Sequence, residues 1–400
     1  MKEKKIGIFW ENFEYGGVEK YLITLINNKE FKNDKFTIFT NSSNRAITNF
    51  KKSIKKKNTL NIVLYNSINQ ILIESFYLKV FFFLFKPVLF FFSLFQIFHL
   101  LKNKKFNIFI AQCGGFGDFR TDFASIIIAR LLKYPIRSAV LHHCYTKPRL
   151  WSRTINIINY FIANLCSSLI FVSKATLENL KKNTTILANK NINFEIIHNG
   201  ITIKKISRKK KLLKKKLNIV YALVLSRLEY GKGHLDLVEA FKYLPNKTKQ
   251  RYKVYFVGKG NSKFEKKLKN KIKILNLTNN FVFSGYIKHD SRAIIMNFDL
   301  LLSPTREFEG FGLSIAESLS VGVPVISTKV GGVLDYLNKK NSILVAPKNP
   351  KALAYSLDLF LQNRLKYKNK ALAGKKIIQK YYSADVMAKK YINHFKKINN

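Results

Sequence analysis

The chain has 400 residues and carries 71 Lys and Arg against 23 Asp and Glu, a formal net charge of +48 at pH 7. A length beyond the roughly 100–200 residues of a single domain makes two domains the expectation. With 47% hydrophobic residues, 14% aromatics and only 8 prolines, the composition excludes a disordered, collagen-like or low-complexity chain. The three cysteines, Cys113, Cys144 and Cys166, form no CxxC pair, which argues against zinc or redox chemistry and fits a reducing cytoplasm. Lysine is spread along the whole chain, with clusters at Lys51–Lys57 and Arg208–Lys216, so the charge reads as a solvated basic surface. An anionic lipid surface is the next partner to consider. No nucleic acid is expected, because no binding motif accompanies the charge.

At the N-terminus only Ile6–Trp10 separates the opening lysines from Glu11, too short an apolar stretch for a signal peptide. Ile6–Trp10 reads as a strand, Gly16-Gly17 as a loop, and Val18, Tyr21, Leu22, Leu25 and Ile26 fall at helical spacing. Further strands are expected at Phe36–Thr40, Asn61–Tyr65, Asn107–Gln112, Ala139–His142, Leu169–Val172 and Glu195–Ile197, with helical segments such as Phe123–Leu132 between them. The stretch Phe76–Leu101 holds ten of the 34 phenylalanines. Lys86 and Pro87 interrupt it, and the charge-free part Pro87–Leu101 falls short of the roughly 20 residues a spanning helix needs. With Lys79, Lys86, Lys102, Lys104 and Lys105 flanking it, a pair of helices lying in a membrane interface is the favoured reading, and buried core helices are the alternative.

From Ile201 to Leu217 the sequence is basic and repetitive and reads as a linker. The alternation then restarts, with strands expected at Ala222–Ser226, Val254–Val257, Phe281–Ser284, Leu300–Ser303, Val323–Ser327 and Ile343–Val345. The expected domains are residues 1–200, a linker over 201–217, and 218–380, followed by a C-terminal helix over 381–400 that can pack back on the first domain. Alternating strands and helices imply parallel sheets covered on both faces, an α/β class of two doubly wound, Rossmann-like domains. Ligands in such sheets bind beyond the carboxyl ends of the strands, so two facing sheets would enclose a cleft.

The strongest chemical signal is Glu309-Gly310-Phe311-Gly312-Leu313-Ser314-Ile315-Ala316-Glu317, running from a strand end into an apolar helix. The glycines allow backbone to approach a ligand, the first helical turn offers free N–H groups to an anion, and the carboxylates suit sugar and ribose hydroxyls. Ser226-Arg227-Leu228 with Lys232-Gly233 places an arginine fork and a lysine on one βα loop, a set suited to a diphosphate. No D-x-D, HExxH or Walker-type sequence is present, so neither a metal nor a resident cofactor is expected.

These elements resemble the retaining glycosyltransferases of family 4, of GT-B fold, whose hallmark is an E-x7-E element. The resemblance implies that Arg227 and Lys232 grip the diphosphate of a UDP- or GDP-type sugar, while Glu309 positions the sugar and Glu317 the ribose. Gly310, Phe311, Gly312 and Leu313 would cradle the donor, and Gly17, in Gly16-Gly17-Val18-Glu19-Lys20, would face its phosphates. His142-His143 resembles the family's histidine contacting the transferred sugar; His142 falls on the motif, with the choice within the pair open. Phe283-Ser284-Gly285-Tyr286-Ile287 resembles the base-holding loop, giving Tyr286 and Ile287, and His198-Asn199-Gly200 resembles the segment ending the first domain. Cys113-Gly114-Gly115-Phe116-Gly117-Asp118 reads as a tight turn or an acceptor-lining loop. The implied activity is sugar transfer, with retention, to a growing, lipid-linked cell-surface glycan, by a cytoplasmic protein peripheral on the inner face of the plasma membrane. An epimerase or glycan phosphorylase on the same scaffold, and a non-catalytic membrane or polyanion binder, are the alternatives.

Overall fold

The computed structural model describes residues 3–13, 16–55, 59–67, 86–116, 120–145, 152–188, 192–203, 216–287 and 290–399. The chain forms two compact units, Met1–Gly200 with Ala384–Asn400, and Ile201–Ser383. Most of the basic stretch 201–217, and residues 76–85 of the Phe-rich stretch, lie outside the described residues.

The first unit is built on seven parallel strands in the order β3-β2-β1-β4-β5-β6-β7. They are β1 (Lys5–Phe9), β2 (Lys35–Asn41), β3 (Leu60–Tyr65), β4 (Ile108–Cys113), β5 (Ile136–Leu141), β6 (Ser168–Phe171) and β7 (Phe194–Ile196). The central strands β4 and β5 are buried along their whole length, as a parallel sheet covered on both faces requires. The connections β3 to β4, β4 to β5 and β5 to β6 all step the same way. Right-handed crossovers therefore put the helices Lys86–Leu101, Thr121–Leu131 and Ser152–Leu165 on one face. The connections β1 to β2 and β2 to β3 step the other way and put Gly17–Ile26 and Ile47–Ser53 opposite. The C-terminal helix Ala384–Asn399 packs beside Gly17–Ile26. There the buried Tyr391 and Tyr21 hydroxyls meet at 2.5 Å, and His394 Nε2 lies 2.9 Å from Ser168 Oγ.

The described part of the Phe-rich stretch has both a buried and an exposed side. It is a single helix, Lys86–Leu101, whose inner face supplies Phe90, Ile97 and Leu101 to the core, with Leu94 and Phe98 packed against them. Phe91, Phe92 and Phe95 stay exposed. Among the described residues no helix is long and apolar enough to cross a membrane.

The second unit carries six parallel strands in the order β10-β9-β8-β11-β12-β13. They are β8 (Val220–Leu225), β9 (Tyr252–Val257), β10 (Phe281–Gly285), β11 (Leu300–Ser303), β12 (Val325–Thr328) and β13 (Ile343–Val345). The sheet is closed by the helix Pro350–Gln362, whose N-cap Asn349 accepts from Ala352 N and whose proline occupies the first turn. The next helix, Arg364–Tyr381, lies so close to Leu313–Ser320 that a Cβ on Gly374 would stand 2.8 Å from the Leu319 side chain. Both sheets reverse their strand order at one place, between β1 and β4 and between β8 and β11, where doubly wound folds bind ligands.

Candidate functional site

At the second switch point the loops after β8 and β11 interlock. Gly233, the N-cap of the helix His234–Ala240, has φ +71, and a Cβ there would stand 1.8 Å from the Pro304 carbonyl oxygen. Only glycine satisfies both the left-handed backbone and the close approach. Arg306 N donates to Gly231 O at 2.8 Å. Lys232 Nζ and Glu309 Oε2 then pair at 2.7 Å across the two loops, both about four-fifths removed from solvent. Two residues that stand 77 positions apart in the chain thus become one site. Arg227 lies on the same loop as Lys232, more exposed and 3.2 Å from Glu229.

Beyond Glu309 the backbone turns through Gly310 to Gly312, whose φ of +79 starts the helix Leu313–Ser320. A Cβ on Gly312 would crowd Val333 at 2.9 Å, and the Tyr336 hydroxyl lies 2.9 Å from the carbonyls of both Phe311 and Gly312. The loop after β12 supports Glu309 directly, with Gly332 N donating to its carbonyl at 2.7 Å. Glu317 is buried on the helix, and Leu313 is half-buried at its start. Phe311 is buried against Tyr336 and Tyr382, so its side chain belongs to the core and only its backbone faces outward chemistry. Tyr286 and Ile287 follow β10, two strands away from β8, with Tyr286 exposed. The structure therefore brings Lys232, Glu309 and the Gly312 turn together at one switch point, with Arg227 on the Lys232 loop and Tyr286 and Ile287 following a strand two places away.

Four residues around these loops carry no signal in the sequence. Arg306 Nη1 donates to Asp236 Oδ1 at 3.0 Å, and its guanidinium lies 4.4 Å above the Tyr230 ring, which ties the two loops together. Burial raises the Asp236 carboxyl, and Arg306 opposes that shift. His234, fully buried behind the loop with Nε2 3.4 Å from Ser226 Oγ, is held at about 4 by burial and so stays neutral at physiological pH.

The other two singled-out residues, His142 and Gly17, lie in the first unit. His142 follows β5, with Nε2 2.8 Å from Gln112 Oε1, and Tyr21 of the Gly17–Ile26 helix meets its ring edge-on at 5.0 Å. Burial lowers His142 to about 3, which makes it a neutral hydrogen-bonding group. His143 is exposed. Gly115 is forced by packing, since a Cβ there would stand 2.2 Å from the Cys144 carbonyl oxygen. Gly117 and Asp118 lie outside the described residues. At this unit's switch point Glu11 accepts hydrogen bonds from the hydroxyls of Ser67 and Thr121 and lies 3.4 Å from the Tyr65 hydroxyl, beside an Arg120–Asp122 pair at 2.9 Å in which the carboxylate is buried and the arginine half-buried.

Residues 203–377 match the family model described as glycosyl transferases group 1. Among curated relatives, an uncharacterized glycosyltransferase of Methanocaldococcus jannaschii is 28% identical over 176 residues, 44% of either chain. The O-antigen biosynthesis glycosyltransferase WclY of Escherichia coli is 28% identical over 208 residues, 51% of this chain and 55% of that one. The chain thus spans about half the length of the curated relatives it matches. In fold it is similar along nearly its whole length to Anabaena HepE, solved with UDP and glucose, with a TM-score of 0.75 at 18% identity, covering 99% of this chain and 100% of that one. The fold is accordingly the two-domain, doubly wound arrangement of the GT-B structures, and the second unit carries the group 1 glycosyl transferase match.

Proposed function

We propose that the chain is a retaining glycosyltransferase that moves a sugar from a UDP- or GDP-type nucleotide sugar to a hydroxyl of a growing, lipid-linked cell-surface glycan. It would work in the cytoplasm, peripheral on the inner face of the plasma membrane. The observation that carries this reading is the Lys232–Glu309 pair, which seats a phosphate-binding cation and a sugar-binding carboxylate at one switch point. The group 1 match over this unit supports it, as does WclY, named for O-antigen biosynthesis.

In this reading an incoming diphosphate exchanges places with Glu309 on Lys232. Lys232 and Arg227 then neutralise the charge that develops as the sugar–phosphate bond breaks, helped by the free N–H groups at Gly312. Glu309, released, accepts hydrogen bonds from the donor sugar. Glu317 receives the ribose, and Tyr286 and Ile287 border the base. Gly17 lets backbone approach the phosphates, and neutral His142 meets a sugar hydroxyl without adding charge. The leaving group is balanced by the chain's own cations, so a metal is not required.

The test is thermal stabilisation against UDP-, GDP-, ADP- and CMP-sugars, since a ligand of the folded state raises apparent stability. A shift with one nucleotide, lost in Arg227→Ala and Glu317→Ala, is expected. A shift that survives both substitutions, or none with any donor, overturns the donor site.

A further inference from the structure

Two helices on one face of the first sheet depart from the usual surface pattern. A surface helix needs one apolar face, turned to the core. Lys86–Leu101 has a second, made of Val88, Phe91, Phe92 and Phe95 at i, i+3, i+4 and i+7, with the phenylalanines 59–70% exposed. Ser152–Leu165 repeats the device. Ile155 and Ile162 are buried, while Ile157, Tyr160 and Phe161 point outward, Ile157 at 70% and Phe161 at 58% exposure. Helix Thr121–Leu131 lies between them, in contact with both, and is buried from Thr121 through Ile126. The outward surface of this helix layer is therefore two aromatic ridges without a charged residue in either stripe, in a chain where 24% of residues are charged.

The border of the layer is basic. Lys102, Lys104 and Lys105 follow the first helix and Arg130 and Lys133 end the middle one, all exposed. From Lys86 to Leu177 the sequence contains no acid besides Asp118 and Asp122. A second copy of the chain would set this basic rim against itself, whereas an anionic leaflet matches the charge and accepts the rings.

We propose that the helices Lys86–Leu101 and Ser152–Leu165 together form one docking surface for an anionic lipid bilayer, their aromatic ridges inserting at headgroup depth and the basic rim holding lipid phosphates. This rests on the membrane-peripheral part of the reading above and deepens it by assigning the surface; it is independent of the donor site. The sequence points to the first helix alone, and the second enters only through the fold.

The experiment is co-sedimentation of the full chain with phosphatidylcholine vesicles, with and without phosphatidylglycerol. Variants are Phe91→Ser/Phe95→Ser, Ile157→Ser/Phe161→Ser and the two pairs combined, with urea unfolding to verify that each folds. Binding is expected to require phosphatidylglycerol and to weaken with salt. It should fall about tenfold for each large apolar side chain removed, from either helix. Full binding by the Ile157/Phe161 variant overturns the two-helix surface while leaving peripheral attachment intact. Absence of binding by the unmodified chain overturns the surface and the peripheral reading alike. A dimer in light scattering that the same substitutions dissolve, without vesicle binding, assigns the ridges to a second copy and overturns it too.

Discussion

The two sheets reverse at equivalent points and arm them differently. Between β8 and β11 the crevice is lined by loops close to their strands, with Lys232 and Glu309 paired and Arg306 clamping one loop to the other. Between β1 and β4 the carboxylate Glu11 is held by hydroxyls from Ser67 and Thr121, with neutral His142 beyond β5. The first arrangement suits a polyanion, whose charge a cation must meet. The second suits neutral hydroxyl-bearing molecules, which a fixed carboxylate orients by accepting their hydrogen bonds. One architecture thus carries two different sets of side chains at equivalent points of its topology.

The sharpest way to break the comparison is Lys232→Ala. It should lower the transfer rate about 10²–10³-fold, as loss of a charge-stabilising donor does, whereas a fall in donor affinity alone would make Lys232 a ground-state binder. Gly233→Ala comes next. With φ +71 and a carbonyl oxygen 1.8 Å from the new Cβ, it should cost roughly 3 kcal/mol in urea unfolding.

The histidines give a pH signature shared by both units. His142 and His234 sit at about 3 and about 4, below the ordinary 6.5, because burial disfavours their charged forms. The unfolded chain therefore binds the extra protons. Their contribution to stability is complete above about pH 6.5 and is lost as pH falls toward 4 and then 3. Unfolding measured at pH 7.5 and pH 5 should differ by on the order of 2 kcal/mol per histidine, and His142→Asn or His234→Asn should flatten the slope. Glu11→Gln should raise acceptor KM about tenfold while donor binding stays unchanged; equal loss of both would make Glu11 a packing residue. Smallest is Gly16→Ala, where a Cβ meets nothing within 4 Å and the backbone is extended, so stability should move by less than about 0.5 kcal/mol. Of these two glycines, Gly233 is sterically compelled and Gly16 is not.

That last contrast marks what was legible. Strands were readable where buried runs are apolar, as at Ile108–Ala111 and Ala139–Leu141, while Arg137 and Ser138 hid the opening residues of β5 although they too are buried. Glu309 to Glu317 was readable because strand end, loop and helix are contiguous, so the motif travels as a unit. Glu11 was not, since its partners stand 56 and 110 positions away. Arg306 was one basic residue among 71 until the fold set it against Asp236. The Phe-rich helix was half-legible: composition announced its apolarity, but only packing distinguishes Phe90 and Ile97, turned inward, from Phe91 and Phe95, turned out.

The helix Ala384–Asn399 has a consequence for how the molecule is made. It belongs to the first unit although the whole second unit precedes it in the chain. During synthesis the seat for Tyr391 beside Tyr21 stays unfilled until the whole second unit has been made. A chain cut short after Ser383 would keep the fold of the second unit while leaving Tyr21, which packs on His142, without the Tyr391 hydroxyl behind it.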